Sequence, residues 1–118
     1  MRGEASEPTT TIFDDIAIVT VSGELDFALC MKLDPELNAV LHSAVRAIVI
    51  DLEAVSLVDS SGIALLLNTF RRLDDAGRHL AIACPLGSPR RTFELTALDR
   101  HLPMYETRHD ALAAVGAS

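Results

Sequence analysis

The stretch that determines the fold reads VDSSGI and spans residues 58–63. It follows an apolar run at residues 47–52, AIVIDL, which is typical of a buried strand, and it leads into a run with helical periodicity at residues 63–73. Two hydroxyls and a carboxylate therefore fall where a loop enters a helix. The first N–H groups of a helix lack partners inside it, and their dipoles favour negative charge. A serine here can carry a phosphate, or Asp59 or Ser60 can simply cap the helix.

Composition narrows the class of protein. The chain has 118 residues, of which 49% are hydrophobic, so we expect one folded domain rather than disorder. Aromatic residues make up 4% and tryptophan is absent, which argues against a site that stacks sugars or bases. The formal net charge is −7, so the chain lacks the basic surface that nucleic acids require, and a basic protein surface is the better partner.

Cysteine and histidine spacing predicts no metal site and no cofactor. Cys30 and Cys84 stand far apart without a CxxC pattern, which favours two buried thiols in a reducing compartment. The four histidines show no metal-binding motif. Residues 1–10 do not resemble a signal peptide, and no apolar run reaches the ~18 residues of a membrane span. We therefore expect a cytoplasmic protein with no membrane partner.

The N-terminal third predicts a tail, a hairpin and a helix. Residues 1–9 are polar and are expected to form a flexible tail ahead of a single domain at 10–116. Two β-branched runs, 10–13 and 16–22, flank Asp14-Asp15 and predict a hairpin. Proline is unfavourable inside a helix, so we expect the main helix at 35–43, capped by Asp34 and preceded by an irregular piece.

Strands and helices alternate along the rest of the chain, with Gly77 and Gly116 where helices should stop. This order predicts an α/β fold, in which an N-terminal β-hairpin is followed by βα units that form a mixed, mostly parallel sheet of about four or five strands with about four helices. The further elements expected are a strand at 79–84, a loop at 85–89, a helix at 90–98, a strand at 104–106 and a helix at 109–115.

Asp26 and the Asp59-Ser60-Ser61 segment both follow predicted strands, so they should converge at one sheet edge. An enzyme is the weaker interpretation of this cluster. Neither serine has the upstream glycine of a nucleophile elbow, and glycine-rich phosphate-binding motifs are absent. Asp26 and Asp59 could form an acid/base pair, but caps are the commoner role for such residues.

The predicted helix at 63–73 has two distinct faces. At 100° per residue, the side chains on one face should form core; they are Ile63, Leu66, Leu67, Phe70 and Leu73. Leu65 then points the other way, near Asn68, and should be solvent-accessible. Beside Ala64, it marks a partner-binding face, although an ordinary surface leucine is the alternative.

Together these residues resemble the STAS domain family of bacterial anti-sigma factor antagonists. The resemblance covers about residues 10–116 and is carried by GELD at 23–26, Asp51-Leu52 and above all VDSSG at 58–62. Gly77, the Ala83-Cys84-Pro85 segment and the spacing of Phe93, Leu95 and Leu98 add to it. One departure is residues 27–34, a segment a few residues longer than the family's usual pattern.

The resemblance implies a protein-interaction switch rather than an enzyme. The unphosphorylated antagonist would bind an anti-sigma factor with serine kinase activity and so release a sigma factor. Phosphorylation of Ser60, in surroundings formed by Asp26, Asp59, Ser61 and Gly62, would end binding, and a serine phosphatase would restore it. A monomer is expected. The alternatives are an interaction module in a larger, stressosome-like signalling complex and a small serine or acid/base enzyme.

Overall fold

The structure, a computed structural model, describes residues 7–116 and has an α/β architecture in that range. The strands are β1 (Thr9–Phe13), β2 (Ile16–Leu25), β3 (Ala47–Val58), β4 (His79–Ala83) and β5 (Met104–Tyr105). The helices are α1 (Phe27–Leu41), α2 (Ser60–Asp75), α3 (Ser88–Leu95) and α4 (Arg108–Ala114), with a short 3-10 turn at Leu98–Arg100.

The strands form one sheet in the order β1-β2-β3-β4-β5. β1 and β2 are antiparallel and the other neighbours are parallel, so the predicted fold class is confirmed. Asp14 and Asp15 form the hairpin turn at φ 55° and 61°. Two successive left-handed residues match the right-handed twist of the strands that they join.

Helices cover both faces of the sheet, which explains the unbroken apolar run in β3. Ile48, Ile50 and Leu52 face the larger core beneath α1, α2 and α3. Ala47 and Val49 face a smaller core closed by α4. The alternation places every residue of 47–52 out of water, Asp51 included.

The prediction that the first main helix begins at Pro35 is wrong, since α1 is continuous from Phe27 and contains Pro35. Asp26, not Asp34, caps it. Pro35 costs roughly 3 kcal/mol in a helix interior. The turns before it, however, bury Leu29 and Leu33, and each buried leucine contributes about 1.5–3 kcal/mol. Burial therefore offsets the cost of the proline.

Two further boundaries differ from expectation at the N-terminal side of the site. Thr9 belongs to β1 and Glu7 forms a 3.1 Å ion pair with Lys32, so the tail does not extend to residue 9; residues 1–6 lie outside the described residues. β3 continues to Val58 where a loop was expected, because it stays paired with β2 through two register shifts. The strand thus ends one residue before α2.

The later boundaries agree with the sequence to within a few residues. α3 begins at Ser88 because Pro89 is tolerated in the first helical turn. Gly77, at φ 71°, ends α2 as predicted, with its N–H on the carbonyl of Asp74. In the part of the chain that the structure describes, no helix combines the length and hydrophobicity needed to cross a bilayer.

Candidate functional site

Strands β2 and β3 end side by side, which brings the predicted site residues together. Leu25 pairs with Val58, and the N–H of Asp59 donates to the carbonyl oxygen of Leu25 at 3.2 Å. Asp26 and Asp59 are the next residues on each strand. The predicted convergence at the carboxyl edge of the sheet is therefore confirmed.

Each of the two aspartates caps the helix that follows it. Asp26 Oδ1 accepts the N–H of Leu29 at 2.9 Å. Asp59 Oδ1 accepts the N–H groups of Ser61 at 2.9 Å and Gly62 at 3.2 Å. Because Asp59 already satisfies these donors, the Ser60 side chain is not needed as a cap. Helices α1 and α2 thus start together, each with a carboxylate at its positive end.

The two serines differ in exposure. Ser60 is exposed as the first residue of α2, whereas Ser61 is partly buried and turned toward α1. A hydroxyl must reach solvent to enter the active site of another protein. Of the two, Ser60 is the more accessible one.

Gly62 is required by the close approach of α2 to the sheet. A Cβ at this position would lie 2.8 Å from both Cγ and the carbonyl oxygen of Leu25, and 3.0 Å from Cγ1 of Val58. Real Cβ atoms do not come so near. The glycine therefore lets the first turn of α2 rest directly on the ends of β2 and β3.

The buried face of α2 is rotated from the predicted one. Its fully buried residues are Gly62, Leu66, Thr69 and Leu73. Four further side chains are partly buried and pack against the edge of the core: Ile63, Leu67, Phe70 and also Leu65. The expectation that Leu65 points away from the core is wrong, because Gly62 and Thr69 move the centre of the face toward it. Ala64 and Asn68 are exposed as the helix phase predicted.

A groove of about 590 Å³ runs between α1 and α2 from this site. Its walls are mostly apolar, and Phe27 and Met31 on α1 are 65% and 63% exposed. Leu65 and Ser61 belong to the α2 wall. The full lining comprises Phe27, Cys30, Met31, Asp34, Pro35, Ser61, Ala64, Leu65 and Asn68.

Cys30 lies in this groove and reports its electrostatics. Burial raises the pKa of the thiol to about 11, and the carboxylates of Asp59, Asp26 and Asp34 add to the rise. Three acidic groups thus act on one point of an apolar groove. Cys84 is fully buried, as expected of a core thiol, whereas Cys30 is only partly buried.

The α1 wall of the groove was not predicted from the sequence. Placing the helix start at Pro35 hid the turns before it. Within a helix that starts at Phe27, the 3.6-residue period puts Phe27 and Met31 on one face, outside the stripe of buried leucines. That spacing is the sequence signal that could have predicted the α1 wall.

The site and fold define a STAS domain. The STAS domain family profile matches residues 7–111, so the chain belongs to this family. Among curated relatives, anti-sigma-F factor antagonist RsfB of Mycobacterium tuberculosis is 31% identical over 110 residues, 91% of this chain and 88% of that protein. An anti-sigma-B factor antagonist of Staphylococcus aureus is 34% identical over 89 residues, 75% of this chain and 82% of that protein.

A solved structure agrees with this assignment. The crystal structure of an anti-sigma factor antagonist from Mycobacterium paratuberculosis superposes with a TM-score of 0.88 at 32% identity. The match covers 97% of each chain. The similarity thus extends over nearly the whole chain.

Proposed function

We propose that this protein is an anti-sigma factor antagonist switched by phosphorylation of Ser60. The names of its relatives support the class of partner, an anti-sigma factor. The observation that carries the switch is an exposed serine at the start of α2, directly after a capping aspartate, at the edge where β2 and β3 end together. The partner would bind over this edge.

The electrostatics of the edge give phosphorylation a physical effect. A phosphate adds about −1.5 to −2 charges at neutral pH. Asp59 already occupies the N–H groups of Ser61 and Gly62, so phosphate oxygens on Ser60 would stay at the surface. They would add to the charges of Asp26 and Asp59. A closely packed partner would meet new bulk and would have to strip water from a charged phosphate, which ends binding.

The proposal assigns two enzymatic partners and no catalysis to this chain. The anti-sigma factor would also be the serine kinase, and a separate serine phosphatase would reverse the modification. Sigma factors act in the cytoplasm, so the proposal places the protein there. The curated relatives are named as antagonists of anti-sigma factors, which supports a regulatory role.

Binding measurements with the purified anti-sigma factor of the same organism test the proposal. Ser60→Ala should bind like wild type in the absence of ATP, since it removes only an exposed hydroxyl. Ser60→Asp should weaken binding at least tenfold. Ser56→Asp, an exposed position on β3, controls for added surface charge. Wild-type affinity in Ser60→Asp contradicts the proposed switch.

A further inference from the structure

Resting on the proposed function, we infer that the α1/α2 groove takes up an apolar segment of the anti-sigma factor flanked by arginine or lysine. The groove joins the Ser60 edge, because Ser61 and Phe27 belong to the first turns of its two walls. The partner would thus hold two neighbouring surfaces, the serine edge and this groove.

The shape of the groove suits a protein segment better than a small molecule. Small-molecule sites usually bury ~70–90% of their ligand. Here Phe27 and Met31 leave more than half of their surfaces in water, so the groove is open along α1. Exposed large apolar side chains that lie together are typical of surfaces that bind proteins.

The groove has a closed end and an open end. One turn beyond Pro35 and Asn68, the guanidinium of Arg72 donates to Oδ1 of Asn38 at 2.7 Å and bridges the two helices. The opposite end opens at the two helix N-termini, beside Asp26 and Asp59. An inserted segment must therefore enter from the Ser60 side or lie across the open face.

Charge around the groove specifies the rest of the partner segment. Asp34 lines the groove, and Asp26 and Asp59 lie at its open end as the caps of the two helices that form its walls. One carboxylate oxygen of Asp26 and one of Asp59 accept the hydrogen bonds that cap the helices. Asp34 is an exposed residue of the lining. Arginine or lysine beside the inserted apolar side chains would complement these carboxylates.

The inference separates specificity from switching. Asp34 lies eight residues along α1 from Asp26, about 12 Å at 1.5 Å per residue. A phosphate on Ser60 acts at the open end, and the α1 wall reaches well beyond it. Residues of this wall would select the anti-sigma factor, whereas Ser60 would set whether the complex forms.

The test combines groove variants with a thiol footprint in the complex with the purified anti-sigma factor. Phe27→Ala and Met31→Ala should each weaken binding about tenfold, as truncated interface anchors do, with unchanged melting temperature. Leu95→Ala is the matched control, since Leu95 is 81% exposed on α3. Asp34→Asn should reduce the salt dependence of binding, and Asp75→Asn, at the far end of α2, should not.

The footprint follows the alkylation of Cys30 by N-ethylmaleimide, read by peptide mass spectrometry. Cys30 should react at least tenfold more slowly in the complex, while buried Cys84 provides an internal control for unfolding. Wild-type binding by the groove variants, or an unchanged Cys30 rate, would overturn the inference. So would protection of Cys30 by a co-purifying small molecule before the partner is added.

The same measurements distinguish a failure of this inference from a failure of the proposed function. If the groove variants bind normally and Ser60→Asp does not, the inference fails and the switch stands. If wild type does not bind the anti-sigma factor, or Ser60→Asp binds like wild type, the proposed function fails.

Discussion

The backbone N–H of Asp59 donates a 3.2 Å hydrogen bond to the carbonyl oxygen of Leu25. This contact ties the end of β3 to the end of β2, so the two aspartate caps and the two helix starts form one surface. The arrangement depends on Gly62, which lets α2 sit against Leu25.

Gly62→Ala should destabilise the fold. Its Cβ would lie 2.8 Å from the backbone oxygen of Leu25, which cannot move without disturbing the sheet. Overpacking of this kind typically costs about 1–3 kcal/mol, measurable by urea unfolding. Ser60→Ala, two residues earlier and exposed, should change stability by less than ~0.5 kcal/mol. Equal stability of the two variants would show that α2 is not held as closely as described.

Asp26→Asn should alter partner binding or the rate of phosphorylation while leaving stability nearly unchanged. Asparagine is an equally good cap for α1, so the hydrogen bond to Leu29 is retained and only the charge is lost. Kinase assays and affinity measurements, with Asp75→Asn as the control, decide the matter. If neither quantity changes, Asp26 serves only as a cap.

Leu65 and Leu66 should differ in degree. Leu66 is fully buried, so Leu66→Ala should cost about 2–5 kcal/mol. Leu65 packs partly against the core and also lines the groove, so Leu65→Ala should lower both stability and affinity. Leu65→Ala should lose less stability than Leu66→Ala, and it should lose more affinity for the partner. Paired melting and binding measurements check this order, and the reverse order would contradict it.

Stability should fall at high pH because of the buried thiol of Cys84. Burial raises its pKa from 9.0 to about 11. The nearby Arg90 guanidinium opposes this rise, and the Glu94 carboxylate adds to it. The unfolded chain therefore loses this proton at lower pH than the folded chain. The thiol's contribution to stability is complete below pH 9.0 and is lost as the pH approaches 11. Urea unfolding at stepped pH should show a shallower decline in Cys84→Ala; an equally steep decline would contradict the assignment.

Local signals in the sequence predicted much of the fold. Asp14-Asp15 correctly predicted the hairpin turn, because few residues tolerate two left-handed conformations in succession. Alternating apolar strands and periodic helices gave the parallel sheet, since each pattern reflects which faces are buried. The VDSSG stretch located the site because a strand, a cap and a close-packed glycine need those residue types.

Tertiary packing decided what the sequence did not reveal. Pro35 lies inside α1 because the leucines before it are buried, a fact absent from the local pattern. The buried face of α2 is centred on Gly62 and Thr69, neither of which is strongly apolar, so Leu65 was misplaced. The groove requires two helices in contact, and it became visible only once both were positioned.

Phosphorylation by the purified anti-sigma factor and ATP shows whether Ser60 is the switch, with the phosphate mapped by mass spectrometry and the affinity measured before and after. We expect phosphate on Ser60, the exposed serine, and at least tenfold weaker binding of the phosphorylated protein. Phosphate on Ser61 with Ser60 unmodified, or equal affinity of the two forms, would contradict it.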